Sequence, residues 1–169
     1  MSYRNKTCVA FASEDIRQYR LMEAWRENVS IDFNFYDAHD LYVSRDTSQP
    51  ETIHRNLRER LKNAKQVVLL GSADGKRKGG DGRSFLAYEV SVILEFGLPV
   101  VVANLDGDRT VDRDFIPSPF LNVDYYTISV SFQPKIIQYA LDDYAPAFGT
   151  SDNSGPYYYK PTVYSSLGL

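Results

Sequence analysis

The stretch SFLAYEVSVILEF, residues 84–96, has helical composition and carries a carboxylate on its most apolar stripe. Phe85, Glu89, Val92, Ile93 and Phe96 follow the 3.6-residue period and share one face, with Phe85 one turn before Glu89. A carboxylate in that setting must be paired, protonated or placed at a cleft, because isolated burial costs several kcal/mol. At a cleft it is a candidate for acid, base or charge-stabilising chemistry. Where the helix merely emerges from the core, the same side chain meets a neighbouring arginine and does nothing further; periodicity leaves both readings open. Glu95 lies with Ser91 on the more polar side, so solvent is its expected surrounding and no role is assigned to it.

Other chemistry-bearing patterns are weaker. The glycine-rich segment from Gly71 to Gly82 carries Lys76, Arg77 and Lys78 and could approach a phosphate. It lacks the GK[ST] ending of a P-loop, and a mobile surface loop is the commoner reading of such a composition. His39, His54 and the single cysteine, Cys8, have no metal-ligand spacing, so no metal site is expected. No G-x-S-x-G elbow is present, which disfavours a serine hydrolase. Asp37 and Asp40 in YDAHDLY read as turn or capping aspartates.

The elements that must position these groups alternate between apolar runs and amphipathic stretches, the pattern of βα units feeding a parallel sheet. A first strand over about 7–12 precedes a helix over about 14–28. In IDFNFYD, Ile31, Phe33 and Phe35 alternate as a second strand ending near Tyr36. SQPE, residues 48–51, resembles a capping box, and Ile53, Leu57 and Leu61 extend a helix to about Ala64. QVVLLG is a continuous apolar run and so a strand covered on both faces, the expected centre of the sheet. The helix bearing Glu89 stops at Gly97 and Pro99, PVVVAN forms a fourth strand and YYTISV a fifth, and a last helix covers about 134–144. Five such units favour a doubly wound α/β sheet of flavodoxin-like order 2-1-3-4-5 in a three-layer sandwich. Ligands of such sheets bind beyond the carboxyl ends of the strands, here the loops after the first and third. Residues 149–169 have no period and are rich in glycine, serine and tyrosine, so they are expected to form an extended or mobile tail on a domain spanning 1–148.

A chain of 169 residues suits one domain, and 43% hydrophobic with 24% charged residues suits a packed core rather than disorder. A net charge of −3 argues against nucleic acid as the main partner. One cysteine permits no intrachain disulfide, the first residues have no hydrophobic signal core, and no window approaches a membrane span, so the expected location is the cytoplasm, with no membrane partner.

Four segments in order, VAFASEDIRQYR, FYDAHD, VVLLGS and FLAYEVSVILEFGLPVVV, resemble the Toll/interleukin-1 receptor (TIR)-like proteins of bacterial anti-phage defence, in particular the TIR subunit of the Thoeris system. The resemblance covers roughly residues 5–145. It implies that Glu89 is the catalytic residue for cleaving the nicotinamide glycosidic bond of NAD+, which is a substrate, with no further cofactor. It also implies that the loop after the first strand (Phe11, Ala12, Ser13), the loop beginning at Asp37, and Phe85 with its neighbours Ser84 and Tyr88 line the substrate cleft. The family often has tryptophan where this chain has Phe85, which keeps a ring but loses the indole donor. The product implied is a cyclic ADP-ribose-type signal that activates a separate effector protein, and homo-oligomers are a feature of the family. Two other readings stand beside it: a noncatalytic TIR-type interaction module, and a nucleoside deoxyribosyltransferase-like enzyme, which also uses a glutamate on a related sheet.

Overall fold

The computed structural model describes residues 2–28 and 49–169. Among these residues the frame is a five-stranded, all-parallel sheet in the order β1 (Thr7–Ala10), β2 (Gln66–Gly71), β3 (Val100–Asn104), β4 (Thr127–Ser131) and β5 (Pro156–Tyr158). The register aligns Cys8 with Val67, Val67 with Val100, and Val100 with Thr127. β1 to β4 are buried throughout; β2 and β3 accordingly read as apolar runs, whereas β4 carries the buried polar residues Thr127, Ser129 and Ser131 between Ile128 and Val130.

Helices cover both faces. α1 (Ile16–Glu27) and α6 (Pro134–Ala147) place Tyr19, Met22, Ile137 and Leu141 against Val9, Val68, Val101 and Val130. α2 (Pro50–Asn63), α4 (Phe85–Phe96) and α5 (Ser118–Asn122) place Leu61, Val90, Ile93 and Phe120 against Ala10, Leu69 and Val102 on the other side. Successive strand residues therefore feed alternate cores, and the result is the three-layer α/β sandwich that the alternation of patterns predicts. Among the described residues no helix is long and apolar enough to cross a membrane.

The expected second strand, Asp37, His39, Asp40 and Ser48 lie outside the described residues. The expected first, third, fourth and fifth strands are β1 to β4 and neighbour one another as anticipated, and α4 ends at Gly97 in the left-handed conformation, φ 64°. Gln49, not Ser48, occupies the N-cap of α2, with Pro50 at the first turn.

Two expectations are corrected. The glycine-rich segment is not a loop: Ala73–Gly79 forms a helix, α3. Ser72 caps it by accepting the Gly75 amide at 2.9 Å, Asp74 lies in its first turn, and Lys76, Arg77 and Lys78 lie in its last, matching the helix dipole. Its glycines serve close packing, since a Cβ on Gly75 would lie 2.9 Å from the Leu70 carbonyl and one on Gly79 would lie 2.6 Å from the Pro117 ring. Residues 149–169 are not a loose tail either. They contribute β5 and a short helix, α7 (Pro161–Ser166), and their Tyr164 is fully buried. Its hydroxyl accepts the Ser131 amide at 3.1 Å, and the Arg109 guanidinium covers its ring at 4.4 Å. Anchoring of this kind comes from single residues packed far from their neighbours in sequence, so no period announces it.

Tyr164→Phe leaves the buried Ser131 amide without a partner and should lower stability by about 1–3 kcal/mol. A shift of the urea unfolding midpoint with unchanged slope is the expected observation; an unmoved midpoint would show that the hydroxyl contributes nothing.

Candidate active site

The cleft at the carboxyl edge of the sheet is built where the chain leaves β1 and β2. After β1 it turns through extended Ala12 into a single 3-10 turn, Ser13–Asp15, closed by the Asp15 amide donating to the Ala12 carbonyl at 2.8 Å. Asp15 is buried and accepts the Ser72 hydroxyl at 2.5 Å, which ties the exit of β1 to the exit of β2. Burial raises the Asp15 pKa, and the Ser72 hydrogen bond opposes that rise. Phe11 is held by its ring stack on Tyr19, centroids 4.6 Å apart. Across from this turn, Asp81 accepts the Arg83 and Ser84 amides at 2.8 Å each and also the Ser84 hydroxyl, and so fixes the start of α4. Those bonds hold the Asp81 pKa near 2, with the Ser84 hydroxyl first among the causes.

Between the two turns lies a cleft of about 150 Å³. Phe11, Ala12 and Ser13 form one wall, Ser84, Phe85 and Leu86 the other, and Lys78 reaches in from α3. Lys78 Nζ lies 2.6 Å from Glu14 Oε1 and donates to Ser13 Oγ at 2.9 Å, while Glu14 Oε2 accepts from Arg77 at 2.9 Å. These contacts, led by Lys78, bring the Glu14 pKa down to about 2.

Of the residues singled out from sequence, Phe11, Ala12, Ser13, Ser84 and Phe85 come together at this cleft. Tyr88 does not line it. It stacks on His54, centroids 4.1 Å apart, beside a second hollow of about 210 Å³ on the outer side of α4. Glu89 is buried, 7% exposed, and follows the cleft-lining Phe85 by one turn on α4, roughly 6 Å further along the axis. It is not itself on the described wall of the cleft. Its charge is felt by Cys8 of β1, whose thiol is pushed up to about 12 by burial and then by Glu89, against a lowering influence from Arg60. Cys8 donates to the Arg60 carbonyl at 3.7 Å, which joins β1 to the last turn of α2. Glu95 is exposed and forms a two-pronged pair with Arg58 at 2.7 and 2.8 Å, in keeping with the absence of any assigned role.

A model of the family described as Thoeris protein ThsB, TIR-like domain, matches residues 2–110. The chain belongs to that family. The TIR-like region so matched runs from β1 to the loop after β3 and contains every residue of the cleft as well as Glu89. No curated protein matches the chain.

Sequence reasoning left out Lys78 and Leu86 as cleft residues. Lys78 was visible only as part of a basic, glycine-rich run, and its direction depends on that run being a helix. The acidic loop after β3 was also passed over: Asp106, Asp108 and Asp112 place carboxylate oxygens within 4.8 Å of one another. Each of the three accepts a backbone amide two residues on, the ordinary work of turn aspartates.

The pH dependence of stability follows from these shifts. Glu14 and Asp81 fall from ordinary values of 4.5 and 3.8 to about 2, so their contribution is complete above the unfolded values and is lost as pH falls through about 2. Asp15 is raised and acts in the opposite sense, costing stability as pH rises past its ordinary 3.8. Glu14→Gln should flatten the acid limb of a stability profile between about pH 4.5 and 2, measured by urea unfolding; an unchanged limb would mean that the Lys78 pair contributes nothing.

Proposed function

We propose that this TIR-like protein cleaves the N-glycosidic bond of NAD+ in anti-phage defence, with Glu89 as the catalytic carboxylate and a cyclic ADP-ribose-type product that activates a separate effector. The observation that carries the reading is the arrangement of α4: its N-terminal turn lines the cleft through Ser84 and Phe85, and a buried glutamate follows one turn behind. Among the described residues two acids are buried, Asp15 and Glu89, and Glu89 is the one carried by α4, one turn behind Phe85.

The chemistry needs few groups. Nicotinamide leaves its cationic N-glycosidic bond as a neutral molecule, taking the bonding electron pair, so no general acid is required. A single carboxylate can hold the ribose hydroxyls and stabilise the oxocarbenium-like transition state, or trap it covalently. The anomeric carbon is then attacked by water, giving ADP-ribose and a proton, or by an internal hydroxyl or adenine nitrogen, giving a cyclic product where water is kept out. Phe85 offers a ring for stacking but no hydrogen-bond donor.

Glu89→Gln should reduce nicotinamide release by about a hundredfold or more while circular dichroism stays native. Mass spectrometry of the products made from NAD+ by the assembled protein is the measurement. Undiminished turnover in the assembled variant would remove Glu89 from the reaction.

One observation favours a second reading, a noncatalytic interaction module: Glu89 lies behind the described cleft wall rather than on it. That reading predicts no NAD+ consumption even in a concentrated assembly, and partner capture that survives Glu89→Ala.

A further inference from the structure

Among the described residues, the side-chain donors of the cleft wall each meet a carboxylate of the protein itself. Lys78 points to Glu14, the Ser13 hydroxyl donates to Glu14 at 2.8 Å, and the Ser84 hydroxyl donates to Asp81. These hydrogen bonds hold both carboxylates near a pKa of 2. Among the described residues Lys78 is the one cationic side chain on the cleft wall. Glu14 sits at the rim, about a third of its side chain exposed, and has a second cation in Arg77 at 2.9 Å. Letting go of Lys78 would therefore not leave it without a counter-charge. Arg77 in turn keeps Asp74 at 2.8 Å.

We propose that Lys78 binds the diphosphate of the dinucleotide substrate and that Glu14 is a placeholder, occupying Lys78 and Ser13 until the substrate's anionic oxygens displace it. The identity of the anion rests on the NAD+ reading above; the exchange of one anion for another at Lys78 rests on the geometry of the cleft. A diphosphate brings two negative charges to an ammonium and a hydroxyl that already bind a single carboxylate, so substitution conserves the hydrogen bonds and increases the charge they meet. It also gives the cleft a means of preferring a dinucleotide over an uncharged nucleoside, because only the former can compete with Glu14.

The alternative is a simple staple, in which the Glu14–Lys78 pair only fastens the turn after β1 to α3. The two differ in the sign of one substitution. Calorimetric titration of the full chain with ADP-ribose, and separately with phosphate-free adenosine, tests them. Lys78→Gln should weaken ADP-ribose binding by about ten- to a hundredfold, the range for losing a charged hydrogen-bond partner, and leave adenosine unaffected. Lys78→Arg, which keeps the charge, should stay close to the wild type. Glu14→Gln should tighten ADP-ribose binding, since the competitor is gone; a staple predicts that both Glu14→Gln and Lys78→Gln loosen both ligands alike. Equal affinity of wild type and Lys78→Gln for ADP-ribose, or no ADP-ribose binding by the wild type at millimolar concentration, would overturn the inference. The titration needs no turnover, so its failure is separable from that of the cleavage reading, which the Glu89→Gln experiment judges alone.

Discussion

The Ser72 hydroxyl accepts the Gly75 amide and donates to the buried Asp15 carboxylate, and the geometry of the whole site hangs on that pair of bonds. One bond starts α3 directly after β2; the other fixes the turn that follows β1. The two strands are neighbours in the sheet, so their exits are already side by side. What Ser72 adds is a link between the turn after β1, which forms one wall of the cleft, and α3, which carries Lys78. Asp15 must remain an acceptor for this to work, and burial pushes its pKa up while Ser72 resists the push. The same residue thus sets a backbone angle and tunes a charge.

Much of this was legible beforehand because it is a matter of local period. Apolar runs mark β1, β2 and β3, Gly97 marks the end of α4, and the misplaced carboxylate at Glu89 stands out against its stripe. The failures share a different cause. Gly75 and Gly79 look like flexibility in a sequence, yet each is small because a carbonyl or a proline ring lies against it, and those partners are distant in the chain or hidden by the fold. Tyr164 looks like one of many tyrosines until Ser131 and Arg109 are seen around it. Lys78 could be read as a charge but not as a direction, because its direction is that of a helix the composition concealed.

The surroundings of Glu89 show how a carboxylate can be kept inside an apolar layer. The Cys8 thiol of β1, which registers the charge, stays neutral, pushed up to about 12, and so adds no negative charge of its own. Arg60 acts on that thiol in the opposite sense, so positive and negative influences meet across β1. An acidic side chain in this position is an expensive feature for a domain to carry. Here it lies one helical turn behind Phe85 of the cleft wall.

The carboxyl edge of the sheet is roofed unevenly. Above β4, Tyr164 seals the strand end, with Arg109 laid over it, and Asn104 at the end of β3 ties down the acidic loop through the Asp108 and Thr110 carbonyls at 3.0 and 2.9 Å. The described cleft lies above β1 and β2. Among the described residues the rim is thus fastened by long-range side-chain bonds over β3 and β4, and its hollow falls on the other half.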